Sequence, residues 1–161
     1  MPVAASQQAS QPAGTLAEEK VAGSFSSSGL LLRDTVEVKA LPDPKVGGIT
    51  IFSSSVKDGR WKLKYFLNDP TSMSISVNQT GAIKFSEEID LTTNGEDVHI
   101  SSKSLFFRSV KIRRLYEAQT NSLIYVSYAD RLTSSEAEEM DKNKYGTSIA
   151  VVPLGRVRPP Q

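Results

Sequence analysis

The sequence contains no cysteine and a single histidine, so the residues that several kinds of functional site require are absent or scarce. Without cysteine there are no thiol nucleophiles and no disulfides, and a zinc or redox-metal centre usually needs several Cys or His ligands. His99 lies in the strand-like pattern Val98-His99-Ile100, where we expect a surface or edge-strand histidine rather than a ligand. The sequence therefore predicts no metal site and no cofactor.

Other hallmarks of catalysis and of membrane insertion are also missing. The serines lack the Gly-x-Ser-x-Gly elbow, and no phosphate-binding Gly-x-x-x-x-Gly-Lys loop is present. No apolar run approaches the ~18 residues of a membrane-spanning helix. A net charge of +1 over 161 residues argues against a dedicated nucleic-acid binder. We therefore predict a chain that is not an enzyme, binds no nucleic acid and has no membrane-spanning segment.

Composition divides the chain into one domain and two tails. Residues 1–28 are rich in Ser, Ala, Gln and Gly, so they bury too little apolar surface to offset their ordering entropy. We predict that they form a flexible low-complexity tail. Residues 29–155 are expected to form a single β domain, and residues 156–161 a short basic tail. No basic start followed by an apolar centre marks a secretory signal.

Short alternating segments separated by turn residues run through the domain. Residues 36–40 read Val-Glu-Val-Lys-Ala, which predicts a half-buried strand ending at Pro42-Asp43-Pro44. Residues 73–77 alternate in the same way, and Asn94-Gly95 predicts a turn before a further strand. This pattern is typical of a mainly β fold, an antiparallel sandwich or barrel-like sheet. One short surface helix is predicted near 133–142.

The densest pattern runs from Lys103 to Arg131 and predicts a β-hairpin. Its first arm, 104–116, is rich in aromatic and β-branched residues. The segment 117–122 is polar and can turn, because Asn121 tolerates a left-handed backbone. The second arm, 123–130, is apolar on both faces, as a central strand requires.

The cations and tyrosines of this hairpin are the candidate binding residues. Arginine offers a planar fork to a carboxylate or phosphate, and tyrosine supplies an aromatic anchor. The alternative is that the cations are ordinary surface side chains paired with nearby acids. Arg114 shares a face with Ile112, so an inward Arg114 needs an acid, and we predict Asp130 as its structural partner. The predicted binding residues are Arg108, Lys111, Arg113, Tyr116, Tyr125, Tyr128 and Arg131.

The hairpin resembles the CreA protein family, small extracytoplasmic proteins of bacteria with relatives in plastid-bearing eukaryotes. Upstream, Val38–Pro44 and Ile75–Gly81 resemble two further family segments, so the resemblance covers about residues 30–154. It implies a periplasmic or plastid (chloroplast or thylakoid) compartment, with any targeting peptide absent from this chain, and it brings no catalytic role. The matching residues are Phe107-Arg108-Ser109, Arg114, Tyr116-Glu117, Asn121-Ser122-Leu123, Tyr125, Tyr128, Asp130-Arg131 and Val152-Pro153.

One departure from the family concerns Ile51 and Val77, where bacterial members often carry cysteines. The resemblance implies that those cysteines form a disulfide, which would constrain the unfolded chain by ~3.5 kcal/mol. Two buried aliphatic side chains contribute about 1.5–3 kcal/mol each. Replacing the disulfide by Ile51 and Val77 should therefore leave the stability of the fold nearly unchanged. We therefore expect Ile51 and Val77 to be neighbours in the fold.

Two functions from different classes remain open. The first is a non-enzymatic accessory or interaction protein that docks onto another protein or assembly through a β-sheet face. The alternative is a small-molecule-binding β-barrel protein or hydrolase with an interior pocket. An exposed flat apolar patch favours the first, and an interior cavity lined by convergent polar groups favours the second.

Overall fold

The structure, a computed structural model, describes residues 19–26, 35–57, 73–101, 108–131 and 146–160. These residues form two four-stranded sheets, sheet A from the first four strands and sheet B from the last four. The strands are β1 (Lys20–Ser26), β2 (Thr35–Pro42), β3 (Val46–Lys57), β4 (Ser74–Phe85), β5 (Glu96–Ser101), β6 (Arg108–Glu117), β7 (Ser122–Arg131) and β8 (Ser148–Pro153).

Both sheets are antiparallel meanders, ordered β1-β2-β3-β4 and β5-β6-β7-β8. The predicted antiparallel, mainly β fold is confirmed, and the sheets do not close into a barrel. The helix predicted near 133–142 lies outside the described residues. Within the described ranges, no helix is long and apolar enough to cross a membrane.

Aliphatic side chains from both sheets form the core. Ile112 of β6 and Leu123 of β7 are fully buried, and β7 is a central strand as predicted. At one side of the core the Ser127 hydroxyl of β7 donates to the Met73 carbonyl at 2.6 Å, beside the start of β4. Other buried members include Leu41, Val46, Ile49, Ile51, Ile75, Ile83, Val98 and Val152.

Strand β2 is half-buried as predicted, but its charged face is the one that points inward. Glu37 and Lys39 are buried and lie 3.5 Å apart as an ion pair, and Lys39 also pairs with Glu19. Leu41 follows on the same face and stands opposite Ile51 of β3 in the core. Because side chains alternate along a strand, burying Leu41 commits residues 37 and 39 to the interior.

The predicted N-terminal tail, residues 1–28, is too long, because strand β1 of sheet A begins at Lys20. All seven of its side chains are exposed, so it lacks the apolar alternation by which a half-buried strand is recognised. Its ladder with β2, from Lys20 opposite Ala40 to Ser26 opposite Thr35, holds it through main-chain hydrogen bonds.

Asn121 joins the hairpin turn to the residues after β8. Its backbone has a φ of 51°, which confirms the predicted left-handed conformation. The Asn121 side-chain amide donates to the carbonyls of Gly155 at 3.0 Å and Val157 at 2.9 Å, and its oxygen accepts the Tyr116 hydroxyl at 3.0 Å. The start of the predicted basic tail, residues 156–161, is therefore anchored to the domain.

Ile51 and Val77 stand directly opposite each other in the β3–β4 ladder. Opposed antiparallel residues have Cα atoms about 4.5–5.5 Å apart, within the range that a disulfide spans. We therefore expect Ile51→Cys combined with Val77→Cys to form a disulfide under mild oxidant. Oxidation should raise the free energy of unfolding by about 3.5 kcal/mol over the reduced form, measured by urea unfolding and intact mass.

The control for this experiment is Phe52→Cys combined with Val77→Cys. In the ladder Phe52 stands opposite Ser76 rather than Val77. Its side chain points to the other side of the sheet from that of Val77, because adjacent strand residues alternate between the two faces. The two thiols of the control should stay unlinked under the same oxidant. If the thiols at positions 51 and 77 also stay unlinked, the β3–β4 register is wrong.

Candidate functional site

The guanidinium of Arg114 is buried, with 1% of the side chain exposed. One terminal nitrogen is ion-paired with Asp43, and the other lies 2.5 Å from Glu96 Oε1. A buried arginine is tolerated only where paired acids and hydrogen bonds compensate its desolvation. Because Arg114 belongs to β6 and Asp43 directly follows β2, this interaction joins the two sheets.

Asp43 is the fully buried acid of this network and also shapes the turn between β2 and β3. Its Oδ1 accepts the backbone N–H groups of Lys45 and Val46, each at 2.9 Å, in addition to Arg114. Its Oδ2 accepts the Tyr125 hydroxyl at 2.7 Å. One carboxylate therefore closes a turn in sheet A and binds two strands of sheet B.

Glu96 forms the outer, partly exposed end of the same network. Its Oε1 also accepts the Asp90 backbone N–H at 3.0 Å, and its Oε2 accepts Lys45 Nζ at 2.7 Å. Two cations, Arg114 and Lys45, thus face two carboxylates, Asp43 and Glu96. The network is neutral in sum, which is the arrangement that makes buried charges tolerable in a protein core.

The surroundings of each group keep this pattern of charges in place. Burial opposes the ionisation of Glu96, but hydrogen bonds from Lys45, Asp90 and Arg114 outweigh it and hold the pKa of Glu96 below its ordinary value. Burial likewise opposes the charge of Arg114, yet Asp43 keeps the Arg114 pKa above its ordinary value. Burial, and then the Asp43 carboxylate, raise the pKa of Tyr125, which therefore stays a neutral donor.

The predicted pair of Arg114 with Asp130 is wrong, because Arg114 pairs with Asp43 and Glu96. The β6–β7 ladder sets Tyr125 opposite Arg114, and Asp130 stands opposite Ser109, five positions away. Five strand residues span about 16 Å, farther than an arginine side chain reaches. An inward Arg114 does need an acid, as expected, but Asp43, 71 residues away in the sequence, was not predictable as that acid.

On the opposite face of sheet B, three side chains of the hairpin converge on Asp97 of β5. Arg113 Nε and the Tyr128 hydroxyl donate to Asp97 Oδ1 at 2.7 and 2.9 Å, and Lys111 Nζ lies 3.8 Å from Oδ2. The Arg113 guanidinium carbon is 5.4 Å from the centroid of the Tyr128 ring, a cation–π arrangement. These four side chains sum to a charge of +1.

Hydrogen bonding also fixes the charge states in this cluster. Burial opposes the ionisation of Asp97, but the bonds from Arg113 and Tyr128 hold its pKa below the ordinary value. The bond to Asp97 raises the pKa of Arg113. Asp97 therefore orients a cation and an aromatic ring at a surface where 38% of the Arg113 side chain remains exposed.

An apolar row lies directly beside this cluster. Ile149 and Val151 of the edge strand β8 are 65% and 54% exposed. The ladder sets them opposite Val126 and Ile124 of β7, which are half-buried. Val126 in turn stands opposite Arg113, so the apolar row and the cationic cluster are continuous. We call this surface the sheet B outer face: Asp97, Lys111, Arg113, Leu115, Ile124, Val126, Tyr128, Ile149 and Val151.

The structure brings together three of the predicted binding residues and separates the rest. Lys111, Arg113 and Tyr128 meet on the sheet B outer face. Sequence reasoning missed Asp97, which organises them from another strand. The other four lie elsewhere: Tyr116 and Tyr125 on the inner face, and Arg108 opposite Arg131 at the far end of the hairpin. Among the described residues, no group of three or more His, Asp or Glu side chains is placed to hold a metal ion.

Comparison with known proteins agrees with the resemblance seen in the sequence. The profile of the CreA protein family matches residues 22–156. "Protein CreA" of Escherichia coli strain K12 is 35% identical over 121 residues, which cover 74% of this chain and 72% of that protein. Proteins of the same name from E. coli O6:H1 (strain CFT073) and E. coli O157:H7 match to the same extent. No solved structure matches significantly.

Removal of the Arg114 side chain should destabilise the fold strongly. Arg114→Ala leaves Asp43 buried without its counter-charge, so we expect the free energy of unfolding to fall by about 3–5 kcal/mol in urea titrations. Arg113→Ala is the matched control, because the neighbouring arginine lies on the outer face, and it should cost less than about 1 kcal/mol. Equal losses in the two variants would contradict the assignment of Arg114 to the core.

Acid should weaken the network at Glu96. The pKa of Glu96 in the folded protein lies below its unfolded value of 4.5, so its ionisation stabilises the fold above that pH. This contribution is lost as the pH falls through the lower folded-state value. We expect Glu96→Gln to be less stable than the unsubstituted chain at pH 7 and to show a flatter stability profile in acid, measured by urea unfolding across pH. Parallel profiles would show that Glu96 is not part of the network.

Proposed function

This chain belongs to the CreA protein family, and we propose that it is a non-enzymatic accessory protein that binds another protein through the sheet B outer face. The observation that carries the proposal is the pair of exposed aliphatic side chains, Ile149 and Val151, in register with the Arg113–Tyr128 cluster. Contiguous apolar surface rimmed by polar groups is characteristic of protein interaction sites.

The composition of this face supports protein binding. Interfaces concentrate their binding energy in arginine, tyrosine and tryptophan side chains surrounded by apolar area. Here Arg113 and Tyr128 lie over one another beside Ile149 and Val151. Asp97 holds both polar side chains in place, so little side-chain entropy is lost when a partner binds.

The buried residues beneath the sheet B outer face also support the docking proposal. Arg114 and Ile112 are locked inward on β6, and the residues between and beside them, Lys111, Arg113 and Leu115, therefore point outward. Because the buried network fixes β6 against β7, the outward side chains are presented by a rigid surface. Such preorganisation favours binding, since the free protein already holds the bound geometry.

The alternative of a ligand-binding barrel or hydrolase has less support. Between the described strands, the interior holds aliphatic side chains and a network whose donors and acceptors bind one another. A small-molecule site needs polar groups that converge on a ligand instead. The arrangement favours docking on the outside of a sheet.

We further infer an extracytoplasmic compartment from the family resemblance, the periplasm in a bacterium or a plastid in a eukaryote. A fold without cysteine does not depend on an oxidising compartment, so it suits either location. Fractionation of the native source, with immunodetection of this chain, tests the inference. Recovery with cytosolic markers would contradict it.

Affinity purification from the native source tests the proposed docking surface. The unsubstituted chain should retain a partner that Ile149→Glu loses by about tenfold or more, because a carboxylate would be buried in the apolar row. Phe25→Glu is the matched control, since it places the same charge on an equally exposed side chain of the other sheet. The partner should then bind the purified chain with the same ranking of variants. No partner, or a partner indifferent to Ile149→Glu, would refute the proposal.

A further inference from the structure

The guanidinium of Arg113 is only partly satisfied within the protein. Its Nε donates to Asp97 Oδ1 at 2.7 Å, and its Nη1 donates to the Asn94 carbonyl at 3.4 Å. Arginine carries five N–H donors, two of them on Nη2. Across the part of the chain that the structure describes, no residue accepts a hydrogen bond from Nη2 of Arg113. Because 38% of the side chain is exposed, water is the remaining acceptor in the isolated protein.

A partner that covers the sheet B outer face must replace this water. A buried donor left without an acceptor costs about 1–3 kcal/mol, and more when the donor is charged. The Asp97 carboxylate oxygen that accepts Arg113 Nε is already shared with the Tyr128 hydroxyl. A negatively charged acceptor therefore suits Arg113 better than a neutral one, because hydrogen bonds between charged groups are about twice as strong.

The orientation of Arg113 favours a carboxylate as this acceptor. Asp97 holds the Nε edge, and the guanidinium carbon lies 5.4 Å from the centroid of the Tyr128 ring, so the group is positioned before a partner arrives. Nη1 donates one of its two N–H groups to Asn94, which leaves a second beside those of Nη2. Parallel N–H groups on the two terminal nitrogens match the two oxygens of a carboxylate.

The apolar row indicates that this carboxylate belongs to a protein. Arg113 stands opposite Val126, and Val126 stands opposite Ile149, which is 65% exposed. Two strand spacings, about 10 Å, therefore separate Arg113 from an aliphatic side chain that a partner would cover with apolar surface. Nucleic acid offers phosphates but no aliphatic side chains, and it is usually bound by a larger patch of cations. An Asp or Glu with an apolar neighbour supplies both contacts.

We propose that the protein partner of the sheet B outer face presents an Asp or Glu side chain to Arg113 and an apolar side chain to Ile149, about 10 Å apart. This inference rests on the proposed function, since it names the chemistry of the partner that the same face binds. In an extended segment that crosses the strands, the acid and the apolar residue lie about three positions apart, because each residue spans about 3.3 Å.

Selection of binders from a random peptide library displayed on phage, with the purified full chain as bait, tests this proposal. The selected peptides should carry Asp or Glu about three residues from an aliphatic or aromatic residue. Arg113→Gln should weaken their binding about tenfold and remove most of its dependence on salt. Lys84→Gln is the matched control, because it removes the same charge from an exposed side chain of the other sheet, and it should bind normally.

Ile149→Glu distinguishes failure of this inference from failure of the proposed function. Peptides without an acid that are weakened by Ile149→Glu but not by Arg113→Gln would overturn the acidic partner and leave the docking surface standing. Peptides indifferent to both substitutions would overturn both. Binding of heparin or single-stranded RNA that Arg113→Gln abolishes and Ile149→Glu leaves intact would assign Arg113 to a polyanion and overturn the inference.

Discussion

The salt bridge between Arg114 and Asp43 is the constraint on which the rest of this fold depends. It is fully buried, it connects the two sheets, and neither charge has access to water. Tyr125 and Glu96 complete it, so the β2–β3 turn and strands β5, β6 and β7 all meet at one neutral network. Loss of either charge would leave the other buried and uncompensated, which is among the most costly changes a protein core can undergo.

The residues buried inside each sheet determine what the sheet shows on the outside. With Arg114 inward, alternation along β6 turns Arg113 outward, where Asp97 and Tyr128 hold it. On sheet A, the chain that leads to Asp43 buries its charged side and turns Val36 and its neighbours to the surface. Placing charges between the sheets therefore places aliphatic side chains on both outer faces. The proposed interface on the sheet B outer face follows from this internal arrangement.

Sequence patterns predicted the parts of this arrangement that depend on neighbouring residues. The hairpin, its two faces and the left-handed Asn121 follow from local alternation and turn chemistry. Alternation cannot say which side of β2 faces the core, because that depends on which face of sheet A packs against the rest of the fold. Nor can it find Asp43 as the partner of Arg114, since the two meet only when both sheets stack. The exposed strand β1 has no apolar pattern and is recognisable only by its ladder.

The most direct test of the central claim is a double-mutant cycle on Asp43→Ala and Arg114→Ala, with unfolding free energies from urea titration. If the two side chains stabilise the fold through each other, the double variant should lose less than the sum of the single losses, by about 2 kcal/mol or more. Additive losses, with a coupling energy near zero, would show that the two sheets are not held together by this pair.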